Sequence, residues 1–152
     1  MKKAVTFVLG VAFAGLALAE ASDHITVVDP YIRLGPPNVL ALGAFMTLKN
    51  DSDKVIRLVK ASNPVSRVTE LHTHINENGI MKMRAISSVS IAAKDKAVLE
   101  PGGLHVMMID LQTPLREGDV IPLTLSFDDG SEKVIKAKVI RPVARQTQTG
   151  RH

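Results

Sequence analysis

The chain has 152 residues, a formal net charge of +4 and no cysteine. This length suits one domain with a single hydrophobic core. The basic residues are scattered rather than gathered into a patch, so nucleic acid is not an expected partner. Without cysteine there can be no disulfide framework, and a blue-copper electron-transfer centre, which needs a Cys ligand, is excluded.

The first 19 residues have the pattern of an export signal. Lys2 and Lys3 precede an apolar stretch over residues 4–18, which ends in the small-residue pattern Ala17-Leu18-Ala19. This predicts a secretory signal peptide over 1–19, cleaved after Ala19, with an uncleaved anchor as the alternative. The stretch is shorter than the roughly 20 residues needed to span a bilayer, and no later segment is longer. We therefore expect a periplasmic mature protein without a membrane span.

The rest of the chain consists of short alternating or β-branched segments and lacks a sustained helical period. Nine strands are predicted, over 24–28, 42–50, 54–61, 68–75, 80–86, 97–99, 104–110, 120–127 and 132–140. Turn-forming residues separate them, and the loop at 33–38 contains two prolines. This pattern is typical of a β-sandwich or barrel. We place the domain at 20–143 and expect the polar tail over 144–152 to be disordered.

Histidine and methionine fall into two clusters on the predicted strands. Alternate residues of a strand share a face, so each pair of the type His-x-His, Met-x-Met or His-x-Met should point one way. The turn at 76–79 should bring the first two pairs together as a hairpin. The three pairs are His72 with His74, Met81 with Met83, and His105 with Met107. By the same rule Met108 should face the core, where a lone strand methionine such as Met46 is also expected.

A set of imidazole and thioether ligands favours copper in its Cu(I) state. Thioethers bind hard cations poorly, and zinc prefers histidine combined with thiolate or carboxylate. His24 and His152 are interpreted as surface residues, although His152 could assist metal capture. Two alternatives remain open on the residues alone. One is a metalloenzyme using an acid–base group such as Glu70 or Glu77, and the other is a metal-free immunoglobulin-like interaction module.

The spacing of four of these residues resembles the motif of the PCuAC-type periplasmic copper chaperones. Ten residues lie between His72 and Met83, twenty-one between Met83 and His105, and one between His105 and Met107. The surrounding segments are also similar, from Glu70-Leu71-His72 to Leu99-Glu100-Pro101-Gly102-Gly103 and Gly118-Asp119. The resemblance extends from about Ile25 to Val139.

The resemblance implies an all-β fold, a cupredoxin-like (immunoglobulin-like) Greek-key β-sandwich. It also implies one Cu(I) ion held by the four motif residues and delivered to the copper A centre of cytochrome oxidase, directly or with a Sco-type factor. The protein is then not an enzyme, and copper storage or scavenging is the alternative. His74 departs from the family, whose members often carry Met there, so His74 could replace or supplement His72. The tail has only His152, so a second copper site is not expected.

Overall fold

The computed structural model describes residues 4, 10 and 18–142. Most of the predicted signal peptide, and all of the predicted tail with His152, lie outside the described residues. Within the described part of the chain, no helix has the length and hydrophobicity that a membrane crossing requires. A short helix α1 leads into ten strands, whose bounds are α1 Ala21–His24, β1 Ile25–Arg33, β2 Ala41–Asn50, β3 Ile56–Ser62, β4 Ser66–Glu77, β5 Ile80–Ile86, β6 Val89–Ile91, β7 Lys96–Leu99, β8 His105–Leu111, β9 Val120–Phe127 and β10 Glu132–Ile140.

The strands form one hydrogen-bonded path in the order β5-β4-β8-β2-β1-β10-β9-β3-β6, and β7 pairs with β2 beside β8. The pairing of β1 with β10 is parallel, and the other pairings of the described strands are antiparallel. The two ends of the path approach each other, with β3 against β4 and β6 against β7. The sheet therefore wraps around the core, and the predicted all-β class is confirmed.

The core follows the period-2 alternation expected of strands with one buried face. In β9, Ile121, Leu123 and Leu125 are buried while the residues between them are not. Full burial of each such side chain stabilises the fold by about 1.5–3 kcal/mol. Met46 and Met108 are also buried in the core, as predicted.

One strand was not predicted, and another extends further than predicted. The three-residue strand β6 is too short to show an alternating pattern and was not predicted. The first strand was expected to end at 28, before Pro30, but β1 continues to Arg33. It does so through a bulge between Val28 and Tyr31, where Asp29 has φ 48°. Because the ladder is already interrupted at a bulge, a residue without an N–H group is accommodated there.

The hairpin between β4 and β5 has the predicted turn. Asn78 and Gly79 both have positive φ, 52° and 82°, which is the geometry of a two-residue type I′ turn and explains the Asn-Gly sequence. The Gly79 N–H donates to Asn76 Oδ1 at 2.8 Å. This turn fixes the register of β5 on β4. The other side of β5 has no strand beside it among the described residues, so β5 is an edge of the sheet.

Candidate metal centre

Strand β4 lies between β8 and β5 and aligns residues from both on one face. On the β8 side, His72 is directly opposite His105, and Glu70 is opposite Met107. On the β5 side, His74 is opposite Met83. Directly opposed residues share a face of the sheet. The register therefore brings all four residues of the motif to one face, together with His74 and Glu70.

The opposite face of β4 and β8 belongs to the hydrophobic core. Val106 and Met108 are fully buried, and Leu71 of β4 is buried beside them. The division of Met107 and Met108 between two faces is therefore the one predicted from the sequence. Because a shift of one residue would exchange the two faces, core packing on one side fixes which side chains are presented on the other.

The candidate ligands differ widely in exposure. His105 is 3% exposed and Met107 is half-buried. The side chain of His72 is 14% exposed, whereas Met83 on the edge strand is 53% exposed. The face therefore has a buried inner part on β4 and β8 and an open outer part on β5.

One backbone carbonyl orients two histidine rings. His105 Nδ1 donates to the Gly103 carbonyl oxygen at 3.0 Å, and His74 Nδ1 donates to the same oxygen at 3.2 Å. A carbonyl can only accept a hydrogen bond, so Nδ1 carries the proton in both rings. In the neutral form of each ring, Nε2 therefore has the free lone pair that a metal requires.

His72 has the opposite arrangement. Its Nε2 donates to Glu70 Oε2 at 2.6 Å, which leaves Nδ1 with the lone pair. This Nδ1 is buried and has no hydrogen-bond partner among the described residues. An unsatisfied buried polar atom is costly unless something binds it. A carboxylate that holds the far nitrogen of a metal-binding histidine is a common arrangement, because it fixes the tautomer and makes the ring more basic.

His105 is shifted toward its neutral form. Burial lowers the pKa of His105 below its ordinary value, the Gly103 hydrogen bond partly opposes this, and His74 and His72 lower the pKa further through charge repulsion. A neutral imidazole can ligate a metal, whereas imidazolium cannot. The environment therefore favours the ligating form of His105.

Aromatic side chains form a wall on one side of His105. The Phe45 ring lies 6.0 Å from the His105 ring and 5.3 Å from the Tyr31 ring, centroid to centroid. Phe45 is folded over Gly43, where a Cβ atom would lie only 2.8 Å from the Phe45 Cζ atom. Gly43 is in turn opposite Met107. The missing side chain at 43 thus makes room for the Phe45 ring beside His105.

The residues present suit a soft ion better than zinc. Across residues 18–142, no three His, Asp or Glu side chains are arranged to hold a metal. Met83 and Met107 lie on the same face as His72 and His105. The rings of His72 and His105 have centroids 5.6 Å apart, and each offers one free nitrogen. Two imidazole nitrogens with thioether sulfurs form a ligand set that suits Cu(I).

Sequence reasoning missed three contributors to this centre. Glu70 was considered only as an acid–base group, but it forms a hydrogen bond with His72. Its position two residues from His72 on the same face of the strand could have predicted this contact. The role of the Gly103 carbonyl depends on a loop conformation that no motif predicts. The role of Phe45 depends on the pairing of β2 with β8, two strands distant in sequence. His24 lies elsewhere, bonded to Asp51 at 2.7 Å near the far end of β2.

Comparison with known proteins identifies a matching family and several relatives of this chain. A family described as "LpqE-like: Putative lipoprotein LpqE-like" matches residues 25–139. The uncharacterized protein RP573 of Rickettsia prowazekii (strain Madrid E) is 30% identical over 128 residues, covering 80% of this chain and 68% of the relative. The putative lipoprotein Lxx21020 of Leifsonia xyli subsp. xyli is 30% identical over 121 residues, covering 79% and 72%.

Solved structures give a consistent result. The copper-bound PCuAC domain from PmoF2 matches with a TM-score of 0.68 and 21% identity, covering 81% of this chain and 97% of that domain, which establishes the shared fold. The solution structure of CuI-DR1885 from Deinococcus radiodurans matches with a TM-score of 0.64 and 30% identity, covering 80% of both chains. These matches confirm the resemblance that the His and Met spacing indicated. The family and the Leifsonia relative are described as putative lipoproteins, and the two solved structures are of copper-bound or Cu(I) forms.

Proposed function

We propose that this chain, which belongs to the LpqE-like family of PCuAC-type copper chaperones, carries one Cu(I) ion on four side chains and hands it to an acceptor protein. The proposed ligands are His72, Met83, His105 and Met107. The observation that carries the proposal is the direct opposition of His72 and His105 in the β4–β8 register, each with one free ring nitrogen. The Cu(I) form of the related DR1885 protein supports the choice of ion.

The proposed ligands differ in exposure, and so in their roles in holding and releasing the ion. His105 is buried and His72 is largely shielded from solvent; Gly103 and Glu70 orient the two rings, which supply the nitrogen ligands. Met83 is more than half exposed and supplies a neutral sulfur at the open side. An acceptor's ligands can therefore approach the ion from the Met83 side without unfolding the centre. Cu(I) is the cargo, and no step changes its oxidation state.

The acceptor is expected to offer thiolate ligands. Charged thiolates bind copper more strongly than neutral imidazole and thioether, so the ion should move from this chain to such an acceptor. We propose the copper A centre of cytochrome oxidase, reached directly or with a Sco-type factor. The proposal also includes a periplasmic location, with the signal peptide over 1–19 removed and the domain at 20–143 carrying the ion.

The test is a transfer experiment under reducing conditions. Mature protein loaded with one Cu(I) is mixed with an apo copper A domain, and the absorption of the acceptor is followed after oxidation. A chelator of matched Cu(I) affinity is the control. We expect the protein to metallate the acceptor faster than the chelator does. Equal rates would mean that the chain stores or scavenges copper, and a failure to bind Cu(I) at all would remove the ligand assignment as well.

A further inference from the structure

Two exposed methionines stand together on the edge strand β5. Met81 is 56% exposed and Met83 is 53% exposed. They are two residues apart, so they lie on the same face. Strand β5 pairs only with β4 among the described strands, and the core does not explain either side chain. Two large thioethers left in water, where they gain no burial energy and are open to oxidation, require another explanation.

The alternate residues of β5 show that the exposed methionines are confined to the metal-binding face. Lys82 and Arg84 point to the opposite face, where both bond to Glu77, at 2.9 Å and 2.7 Å. A solvent-exposed edge strand is normally protected by charges of this kind. The back of β5 carries these charges beside one exposed apolar side chain, Ile80 at the turn, whereas the face of Met81 and Met83 carries no charged residue of β5.

The register places His74 within reach of both sulfurs. His74 is directly opposite Met83, and Asn76, two residues further along β4, is opposite Met81. Met81 is thus the diagonal neighbour of His74, at a separation of about 7–8 Å that a long side chain can bridge. His74 Nδ1 is engaged by the Gly103 carbonyl, so in the neutral ring Nε2 is free to ligate.

The same geometry links this group to the inner ligands. The His74 ring lies 5.3 Å from the His105 ring, centroid to centroid. Met83 is directly opposite His74 and diagonal to His72, which is opposite Ala85. Met83 can therefore contact an ion held by His74 and Met81, and also an ion held by His72 and His105.

We propose that His74, Met81 and Met83 form an outer Cu(I) site through which copper enters and leaves the inner ligands. The ion binds first to these three side chains, of which Met81 and Met83 are exposed and His74 is half-buried, and then moves inward while Met83 stays bound. His72 and His105 replace His74 and Met81 one ligand at a time, and Met107 then completes the inner set. Copper remains Cu(I): two metal–ligand bonds break, three form and the bond to Met83 is kept, so the ion passes from three ligands to four. This inference rests on the function proposed above and adds Met81 and His74 as residues of the exchange path.

The experiment measures exchange rates separately from equilibrium affinity. Wild-type protein and Met81→Leu are titrated with Cu(I) against a competing chelator, and loading and release are then followed by stopped-flow mixing with the same chelator. Because a site on the path lowers the barrier in both directions, we expect both rates to fall by about tenfold in Met81→Leu, with the dissociation constant changed by less than about twofold. Thermal unfolding of the apo protein should be unaffected.

The matched control moves the thioether to the other face of the strand. In Met81→Leu/Lys82→Met the number of methionines is restored, but the new sulfur faces away from His74. We expect this variant to exchange copper as slowly as Met81→Leu. Rates restored to the wild-type value would show that the methionine count, not the outer site, matters, and would overturn the proposal.

Other outcomes are equally decisive. Unchanged rates in Met81→Leu would overturn the outer site, and so would a tenfold or larger loss of equilibrium affinity, because Met81 would then be a permanent ligand. In both cases the proposed chaperone function is not affected, since the transfer experiment with the wild-type protein tests it separately. Failure of the wild-type protein to bind Cu(I) would instead reject the proposed function itself.

Discussion

Strands β8 and β5 both lie beside β4 and both contribute to the candidate metal-binding face, but they are held very differently. Strand β8 is paired on both sides, with β4 and β2, and its His105 is buried. Strand β5 is an edge strand whose residues are largely exposed. The inner part is built to hold ligands in fixed orientations, and the outer part is built for access. A copper carrier needs both properties, and this fold places them on opposite sides of one strand.

The largest effect is expected for the two adjacent methionines of β8. Met108 is fully buried, so Met108→Ala should lower the free energy of unfolding by about 2–5 kcal/mol. Met107→Leu conserves volume and should cost less than about 1.5 kcal/mol, but should weaken Cu(I) binding. Urea denaturation and a Cu(I) competition titration measure the two quantities. A greater loss of copper affinity in Met108→Ala than in Met107→Leu would contradict the β4–β8 register.

A direct comparison of β8 with β5 comes from one ligand on each. His105→Ala should weaken Cu(I) binding by about 100-fold or more. Loss of a group that only hydrogen-bonds to a ligand already weakens metal binding by about 10–100-fold, and loss of the ligand itself should cost more. Met83→Leu should cost nearer to tenfold, because Met83 is exposed and its place on the ion is open to other groups. Both constants come from competition with a chelator of known affinity. Equal losses would show that the inner and outer parts hold the ion equally.

Substitutions at two glycines test whether the Phe45 ring helps to position the buried ligand His105. A side chain at Gly43 would meet the Phe45 ring, so Gly43→Ala should destabilise by about 1–3 kcal/mol and also disturb copper binding through Phe45 and His105. Gly79→Ala in the hairpin turn should cost about 1–2 kcal/mol through its positive φ alone. Its copper affinity should be nearly unchanged. A Gly43→Ala variant with normal copper affinity would show that the Phe45 wall does not shape the centre.

The smallest effect concerns the stability of the copper-free protein at low pH. Burial is the main cause of the lowered pKa of His105, with repulsion from His74 and His72 adding to it and the Gly103 hydrogen bond opposing it. The unfolded chain therefore binds the proton more readily than the folded protein. Stability should be complete above the unfolded value of about 6.5 and should fall as the pH drops from there through the folded pKa.

The measurement is urea denaturation of apo protein at several pH values between 7.5 and 5, chosen to bracket the unfolded histidine value of about 6.5. His105→Gln should show a flatter dependence than the wild-type protein. His24→Gln, changed at the far end of β2 where His24 bonds to Asp51, is the matched control. If the free energy of unfolding depends on pH identically in His105→Gln and the wild-type protein, His105 is not the source of the pH dependence.

Local pattern in the sequence was enough to predict most of the strands and the faces of their side chains. The alternation that buries Met108 in the core and turns Met107 to the opposite face is a property of a single strand. The Asn-Gly turn that brings His74 opposite Met83 is similarly local. The short β6 escaped because three residues carry too little pattern, and the end of β1 was misjudged because a bulge accommodates Pro30.

The supporting contacts of the centre could not be predicted in the same way. The pairing of His72 with His105 joins strands that are distant in the sequence, and the spacing of the residues does not fix their register. The wall formed by Phe45 over Gly43 depends on a third strand. Pairing between distant strands is decided by the packing of the whole core, so it becomes visible only when the sheet is assembled.

The Gly103 carbonyl has a mechanical consequence for the whole centre. Because His74 and His105 donate to the same oxygen, the two rings share one pivot, although they lie on different strands. That pivot belongs to the turn before β8, where Pro101 and Gly102 are exposed to contact from outside. A displacement of this turn would move the shared acceptor oxygen and would therefore change the orientation of His105 and His74 together. The fold thus couples the orientation of both rings to a single peptide at the protein surface.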